Sequence, residues 1–160
     1  MLTLKIKRLD EAARIPTVGR QDDACFDLSA LEDVEFDPGE IKLVRTGLAI
    51  EIPRGHRASV FVRSSTPIKK GFILANGVGV IDHGYRGELF IQLMNVATRV
   101  IRPDGEQDYG VFMSNRLNRG DRVGQLEIVV SIFASDIHLE VVDDLATTAR
   151  GTGGIGSTGV

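Results

Sequence analysis

Short stretches of alternating or continuous apolar residues recur along the whole chain, separated by turn-forming sequences such as Asp37-Pro38-Gly39 and Asn118-Arg119-Gly120. A period of two, with glycine and proline between the runs, is typical of β-strands. Helical periodicity is limited to a turn or two near 66–70. The pattern predicts an all-β sandwich, jelly roll or barrel. Its strands are expected within 2–6, 41–52, 58–62, 72–74, 78–81, 88–94, 98–101, 122–133 and 137–142.

Length and composition narrow the class of protein. With 160 residues, the chain is expected to form one domain with its own core. The first eight residues alternate apolar and charged side chains, unlike a signal peptide, and no apolar run is long enough to span a bilayer. The single cysteine, Cys25, leaves no disulfide within the chain. We therefore expect a soluble, cytoplasmic protein with no membrane partner.

The net charge of -3 disfavours broad binding of nucleic acid, which needs a basic surface. Binding of phosphate groups would have to be local. The basic residues that could serve it are Arg63, Arg86, Arg122 and Arg150. Taken singly, each of them is more often a solvated surface residue.

Five segments carry residues suited to chemistry on phosphates. Arg63-Ser64-Ser65 directly follows an apolar run, so a guanidinium fork and two hydroxyls emerge together, which suits phosphate oxygens. Asp82 follows another apolar run and could orient or deprotonate a water molecule. A polar loop and a turn-forming aspartate are the simpler alternatives. The five segments, in order, are 24–28, 63–65, 79–87, 120–126 and 150–159.

The glycine-rich end, 150–159, combines backbone freedom with Arg150 and two hydroxyls, which are the groups needed to surround an anion. A flexible terminus is the alternative. The segment is not a P-loop, because no lysine and no helix follow the glycines. The three histidines have no zinc spacing. Carboxylates beside a triphosphate would instead favour Mg²⁺.

Taken together, the segments resemble the five motifs of the trimeric deoxyuridine triphosphate nucleotidohydrolase (dUTPase) family. Gly-Val-Ile-Asp-x-x-Tyr-Arg-Gly (79–87) and Arg-Gly-x-Gly-Gly-x-Gly-Ser-Thr-Gly (150–159) carry most of the resemblance, which runs from about Asp23 to Val160. The resemblance implies a jelly-roll-like distorted β-barrel and a homotrimer whose active sites draw on several subunits. It also implies a barrel domain at 1–149 and a flexible arm at 150–160 that closes over the site.

The same resemblance implies an Mg²⁺-assisted reaction in which water attacks the α-phosphorus of dUTP, giving dUMP and pyrophosphate. Asp82 would activate the water, and Tyr85 would pack on the deoxyribose and exclude a 2′-hydroxyl. Asp27 would reach the waters of Mg²⁺. The residues implied to bind uracil are Asn76, Val80 and Ile81, and those implied to hold the phosphates are Arg63, Ser64, Ser65, Gln125, Arg150, Gly154, Ser157 and Thr158.

Several features depart from the family pattern, among them Ser65-Thr66-Pro67 in place of Ser-Gly-Leu-Ala and the long stretch 102–119. Ile155 stands where the family has a phenylalanine that stacks on uracil, so another ring would have to supply that contact. The candidates are Phe90, Tyr109 and Phe112. Cys25 replaces the glycine of the first motif.

Two alternatives remain. The related deoxycytidine triphosphate deaminases use a glutamate at the position of Gln92, and an amide cannot shuttle a proton as a carboxylate does. Deamination is therefore disfavoured. The other alternative is a nucleotide-binding regulatory trimer that acts on a protein partner through the long stretch 102–119.

Overall fold

The computed structural model describes residues 2–96, 100–101, 107–108 and 115–152. Within them the chain is almost entirely β-structure, with a single short α-helix, α1 (Ser65–Lys70), and one 3-10 turn, Ala134–Asp136. The strands are β1 (Lys5–Arg8), β2 (Phe26–Ser29), β3 (Val34–Phe36), β4 (Ile41–Arg45), β5 (Leu48–Glu51), β6 (His56–Phe61), β7 (Phe72–Leu74), β8 (Gly79–Ile81), β9 (Phe90–Asn95), β10 (Val100–Ile101), β11 (Gln107–Asp108), β12 (Asn115–Leu117) and β13 (Arg122–Val130).

The largest sheet has four strands in the order β2-β13-β6-β8, and a second sheet has the order β4-β9-β7. Two-stranded pairs, β1-β5, β12-β3 and β10-β11, complete the described sheets, and every ladder is antiparallel. Neighbours far apart in sequence, such as β2 and β13, are brought together, as in jelly-roll topologies. The predicted all-β, jelly-roll-like fold is confirmed.

One hydrophobic core lies between the sheets. In strands such as β4, alternate side chains point inward, so Val44 is buried while Leu43 is exposed, whereas β5 buries Leu48, Ala49 and Ile50 in succession. Phe36 and Phe72 meet at its centre with ring centroids 4.7 Å apart. Full burial of such a side chain contributes roughly 1.5–3 kcal/mol. The core therefore fixes the sheets whose ends carry the polar residues.

Several strand predictions needed correction. The run 41–52 divides into β4 and β5 because Gly47 turns the chain with a φ of 69°, and a Cβ there would come within 2.8 Å of the Ala13 Cβ. The strand predicted at 137–142 is wrong: these residues are exposed, and no described strand of the chain pairs with them. The short strands β2, β3, β11 and β12 lay outside the predicted runs. The helical turn predicted near 66–70 is confirmed as α1.

No helix within the described ranges is both long and apolar enough to cross a membrane. Most of the 102–119 stretch lies outside those ranges, as do Tyr109 and Phe112. The same is true of Gly154, Ile155, Ser157 and Thr158.

Candidate active site

A pocket of about 260 Å³ opens where β8 ends and the chain turns toward β9. The register Ala58↔Ile81 places Asp82 at the edge of the four-stranded sheet, just beyond the last paired residue of β8. The pocket unites six of the residues predicted for the site with Gly79, Glu88 and Gln92. Those six are Asn76, Val80, Ile81, Asp82, Tyr85 and Phe90.

On the side of the pocket formed by β8, the backbone is as important as the side chains. β8 is the last strand of its sheet, so one of its edges is unpaired within the described chain. Such an edge presents alternating N–H donors and carbonyl acceptors. Val80 is 56% exposed. The edge can therefore pair with a flat ligand that has amide-like donors and acceptors, and Asn76 adds a side-chain amide.

Tyr85 is held in place by the residues that follow it. Its hydroxyl donates to the Glu88 carbonyl oxygen at 2.9 Å. A Cβ on Gly87 would overlap the Tyr85 ring, so only glycine fits there. The Glu88 carboxylate in turn accepts from the Gly47 N–H at 2.8 Å and from the Arg45 guanidinium. The spacing Tyr-x-Gly thus has a physical cause. Sequence analysis did not identify Glu88, because its hydrogen-bond partners lie 41 and 43 residues away along the chain.

A separate polar cleft of about 270 Å³ lies beyond the other end of β6. Gln125 on β13 lies opposite Asp27 of β2 on one side and Phe61, the last residue of β6, on the other, so three strands meet at this point. Gly124 allows this close fit, since a Cβ there would come within 2.9 Å of Ile91 Cδ1. The lining is Gly19, Asp23, Ala24, Cys25, Asp27, Arg63, Ser64 and Gln125.

Asp27 is the charged centre of this cleft. Its carboxylate accepts from Arg63 Nε at 2.8 Å and from Arg122 Nη1 at 2.8 Å, and its side chain is only 12% exposed. The β13-β2 ladder has a register irregularity between Arg122 and Gly124, next to the ion pair of Arg122 with Asp27. Ser64 precedes α1 but forms no side-chain capping bond. The cleft therefore offers the Arg63 guanidinium and an uncommitted Ser64 hydroxyl to an anion, and Arg122 adds a second guanidinium beside it through its ion pair with Asp27.

Of the four arginines considered from the sequence, Arg86 lies in the turn after β8 and not at the cleft. Its Nη1 donates to the carbonyl oxygens of His83 at 2.7 Å and Tyr85 at 2.8 Å, so it braces the turn after β8. Arg150 is exposed and is not part of the lining of either the pocket or the cleft. Ser65 belongs to α1 and does not line the cleft.

The donor set of the cleft agrees with Mg²⁺ and not with a metal held by protein alone. Among the described residues, no group of three or more histidine, cysteine, aspartate or glutamate side chains could hold an ion. Mg²⁺ commonly uses one or two carboxylates together with phosphate oxygens and water. Asp27 fits that role. Burial raises the pKa of the nearby Cys25 thiol, and the carboxylates of Glu127, Asp23 and Asp27 raise it further, so this thiol stays protonated.

The pocket and the cleft lie far apart in one chain. Asp82 follows Ile81, which pairs with Ala58, and Arg63 lies five residues further along from Ala58. By the same register Asp82 faces Arg57, six residues from Arg63, so at about 3.3 Å per residue Asp82 and Arg63 are separated by about 20 Å. The structure thus gathers the predicted residues into two groups instead of one.

Residues 11–106 match the model of the dUTPase family. The chain is 37% identical over 159 residues to the deoxyuridine 5'-triphosphate nucleotidohydrolase of Gloeothece citriformis, covering 99% of this chain and 98% of that protein. It is 38% identical over 159 residues to the protein of the same name from Clostridioides difficile, covering 99% of each. This chain belongs to the dUTPase family.

Solved structures of dUTPases are also similar to this chain. The dUTPase of Staphylococcus bacteriophage 80alpha with dUPNHPP superposes with a TM-score of 0.82 at 30% identity, covering 99% of both chains. A mutant dUTPase from phage phi11 of S. aureus, described for its coordination of a structural Mg(II) ion, gives a TM-score of 0.73 at 29% identity. That match covers 89% of this chain and 97% of the phage chain.

Proposed function

We propose that this protein hydrolyses dUTP to dUMP and pyrophosphate by attack of water on the α-phosphorus. The observation that carries the proposal is the position of Asp82. Its carboxylate lines a pocket with an unpaired strand edge, a fixed tyrosine and an amide, and it forms no hydrogen bond or ion pair with any described residue. A carboxylate so placed is available to a water molecule.

In this mechanism Asp82 is the general base. It orients the attacking water and accepts its proton, and a positioned base contributes typically 10²–10⁴-fold in rate. The Asp82 side chain belongs to an exposed residue at the mouth of the pocket, so a phosphate group can approach the water it holds. No covalent intermediate with the protein is required.

Recognition of the nucleoside is assigned to the pocket. The free edge of β8, with Asn76, pairs with the amide-like edge of uracil. Tyr85, fixed through its hydroxyl, packs on the deoxyribose and leaves no room for a 2′-hydroxyl. Phe90 lines the same pocket and is 38% exposed, so its ring can stack on the base in place of the missing aromatic at Ile155.

The cleft is assigned to the triphosphate. Arg63 and Arg122 offer planar guanidinium groups, which bind phosphate oxygens in pairs. Ser64 and Gln125 add neutral donors next to the oxygen on which leaving-group charge develops. Asp27 would hold Mg²⁺ through its waters. When bound, the ion neutralises phosphate charge as pyrophosphate departs.

We further propose that the working unit is a homotrimer. One α-phosphate must lie close to both Asp82 and the phosphate-binding groups, but these are about 20 Å apart along the direction of β6. If the cleft of one copy lies against the pocket of another, Asp82 and the phosphate-binding groups can both reach the same phosphate. The segment after β13 also needs a partner, since Leu139, Val141 and Leu145 are 86%, 100% and 87% exposed. A neighbouring copy would cover these side chains.

The barrel at 1–149 and the arm at 150–160 are proposed as separate functional parts. Arg150, Gly154, Ser157 and Thr158 would close over the β- and γ-phosphates, excluding water from the site. Deletion of 150–160 tests this assignment. It is expected to lower kcat/KM strongly without lowering the midpoint of thermal unfolding, and an unchanged kcat/KM would contradict it.

The product pattern tests the reaction. The purified protein with Mg²⁺ is incubated with dUTP, dCTP, dTTP and UTP, and pyrophosphate and ammonia are measured separately. We expect pyrophosphate from dUTP alone. Ammonia from dCTP would indicate a deaminase, although Gln92 offers an amide where a carboxylate would be needed. Equal turnover of UTP would contradict the role of Tyr85.

A further inference from the structure

The residue after Asp82 makes a contact that the proposed reaction does not use. His83 is half-buried, and its Nδ1 lies 2.6 Å from the carbonyl oxygen of Ile52. A carbonyl oxygen can only accept a hydrogen bond, so Nδ1 carries the proton and donates it. Ile52 follows β5 and is fully buried in the core. The imidazole therefore ties an exposed turn to a rigid part of the molecule.

The same ring packs against Phe133, with centroids 5.9 Å apart. Phe133 directly precedes the 3-10 turn at the end of the barrel, so His83 is enclosed from two sides. Phe133 and His83 also line a cavity of about 460 Å³ that shares Asp82 with the nucleoside pocket. Because His83 directly follows Asp82, a movement of the imidazole would shift the backbone that carries the Asp82 side chain.

Few other contacts fix the backbone at Asp82, where the turn after β8 begins. Its carboxylate is not bonded to any described residue, and the Tyr85 N–H bond to its carbonyl oxygen, 3.0 Å long, only closes the turn. Gly84 follows, and a Cβ there would touch nothing within 4 Å, so no side chain fixes the backbone at that point. The far end of the turn is anchored through Tyr85 and Glu88. The near end depends on β8, on the hydrogen bond from Arg86 to the His83 carbonyl oxygen, and on the His83 side chain.

We infer that His83 is a positioning residue that holds the Asp82 carboxylate in place for the attacking water through its hydrogen bond to the Ile52 carbonyl. The inference rests on the proposed role of Asp82 as the base. A base must be held within a fraction of an ångström of its productive position, because a displacement of about 1 Å can lower the rate about a hundredfold.

Two variants separate the hydrogen bond from the ring. His83→Phe keeps an aromatic ring next to Phe133 but has no donor. His83→Asn removes the ring but places an amide N–H close to where Nδ1 lies. With dUTP and Mg²⁺, we expect His83→Phe to lower kcat about ten- to a hundredfold while KM changes less than about twofold. His83→Asn is expected to keep kcat within about threefold of the original protein.

Two outcomes would overturn the inference: unchanged kcat in His83→Phe, or equal loss of kcat in both variants. A rise in KM that accounts for the loss in kcat/KM would do the same, because it would indicate a damaged pocket instead of a misplaced base. The midpoint of thermal unfolding of each variant is measured to confirm that it folds.

The hydrogen bond can also be tested without activity. In the ¹⁵N spectra of the imidazoles at about pH 8, His83 should appear with its proton on Nδ1, and its signals are assigned by their loss in His83→Asn. The exposed His138 serves as the internal reference. A proton on Nε2 of His83 would refute the bond. If the original protein fails to hydrolyse dUTP, the proposed function falls while this measurement still decides on the bond.

Discussion

The pocket after β8 and the cleft beyond the other end of β6 use the same sheet in opposite ways. The pocket is formed by the stretch 76–88 together with β9, and its lining contains the carboxylates of Asp82 and Glu88 but no cation. The cleft joins three strands distant in sequence and is dominated by the ion pairs of Asp27 with Arg63 and Arg122. Under the proposed function, this difference would separate two tasks, which are recognition of a flat, uncharged base and neutralisation of several phosphate charges.

The comparison also explains why neither region is complete. The pocket has the free carboxylate of Asp82 but lacks a phosphate-binding cation in its lining. The cleft has the cations, but its carboxylate is already engaged by both of them. Each region therefore supplies what the other lacks, which is the physical reason for placing them together across a boundary between copies.

The largest expected effect concerns the pocket. Asp82→Asn keeps the shape of the side chain but removes the acceptor for the proton, so we expect kcat to fall by roughly a hundredfold or more. KM for dUTP should change little, because the Asp82 carboxylate makes no contact on which the pocket depends. Steady-state kinetics with pyrophosphate detection measure both quantities. Full activity of this variant would remove Asp82 from the mechanism.

Mixing two inactive variants tests whether the pocket and the cleft belong to different copies. Asp82→Asn disables the pocket, and Arg63→Gln disables the cleft while keeping a donor for Asp27. After the two variants are unfolded and refolded together in equal amounts, about one quarter of the sites should hold both intact residues, if subunits combine at random in a symmetric trimer.

Recovery of about a quarter of the original activity is therefore expected, compared with almost none for either variant refolded alone. Absence of recovery in a mixture that light scattering shows to be trimeric would place both regions of the site within one chain. A fully active monomer would exclude the shared site altogether.

A smaller effect is expected at Phe90, which provides the aromatic face of the pocket. Stacking of a base on an aromatic ring is worth about 1–3 kcal/mol. Phe90→Ala should lower kcat/KM by a corresponding factor, whereas Ile155→Ala, at the position where the family has its stacking ring, should change it little. If Ile155→Ala proves the more damaging, the base stacks on the arm and Phe90 has no part in it.

The smallest effect is expected at an ion pair that links the segments next to the cleft. Lys70 of α1 and Asp121, just before β13, form an ion pair of 2.6 Å that joins the segments carrying Arg63 and Arg122. Burial raises the pKa of Asp121, but the hydrogen bonds from Lys70 and from the Asn118 N–H outweigh it, so the pKa lies below its usual 3.8. A lowered pKa means that the bonds favour the charged carboxylate in the folded state.

Asp121→Asn should therefore lower the free energy of unfolding at pH 7 by up to about 1 kcal/mol, since the pair is partly exposed. The stabilisation is present above pH 3.8 and is lost as the pH falls through the lower pKa of the folded state, so the difference should shrink toward pH 3. Urea unfolding at both pH values measures it. Glu11→Gln, at an exposed residue with no ion pair to any described residue, is the control, and an equal loss at both pH values would argue against the pair.

The sequence predicted the parts of the fold that depend on neighbouring residues. The period-two runs located β7, β8 and most of β13, because alternation reflects which side of a strand faces the core. The same reasoning failed at 137–142, where Ile137, Leu139 and Val141 alternate with polar residues but find no partner strand. A strand needs hydrogen bonds from a neighbour, and alternation alone does not supply one.

For the site, the chain by itself determined the turn after β8. Gly79-Val80-Ile81-Asp82 and Tyr85-Arg86-Gly87 form their turn through contacts between residues a few positions apart, such as Tyr85 with Glu88 and Arg86 with His83. Only the tertiary structure decided the cleft and the anchor at His83. Asp27 meets Arg122 across 95 residues, and His83 meets Ile52 across 31. Such contacts depend on strand order and register, which the folded sheets set and local patterns do not encode.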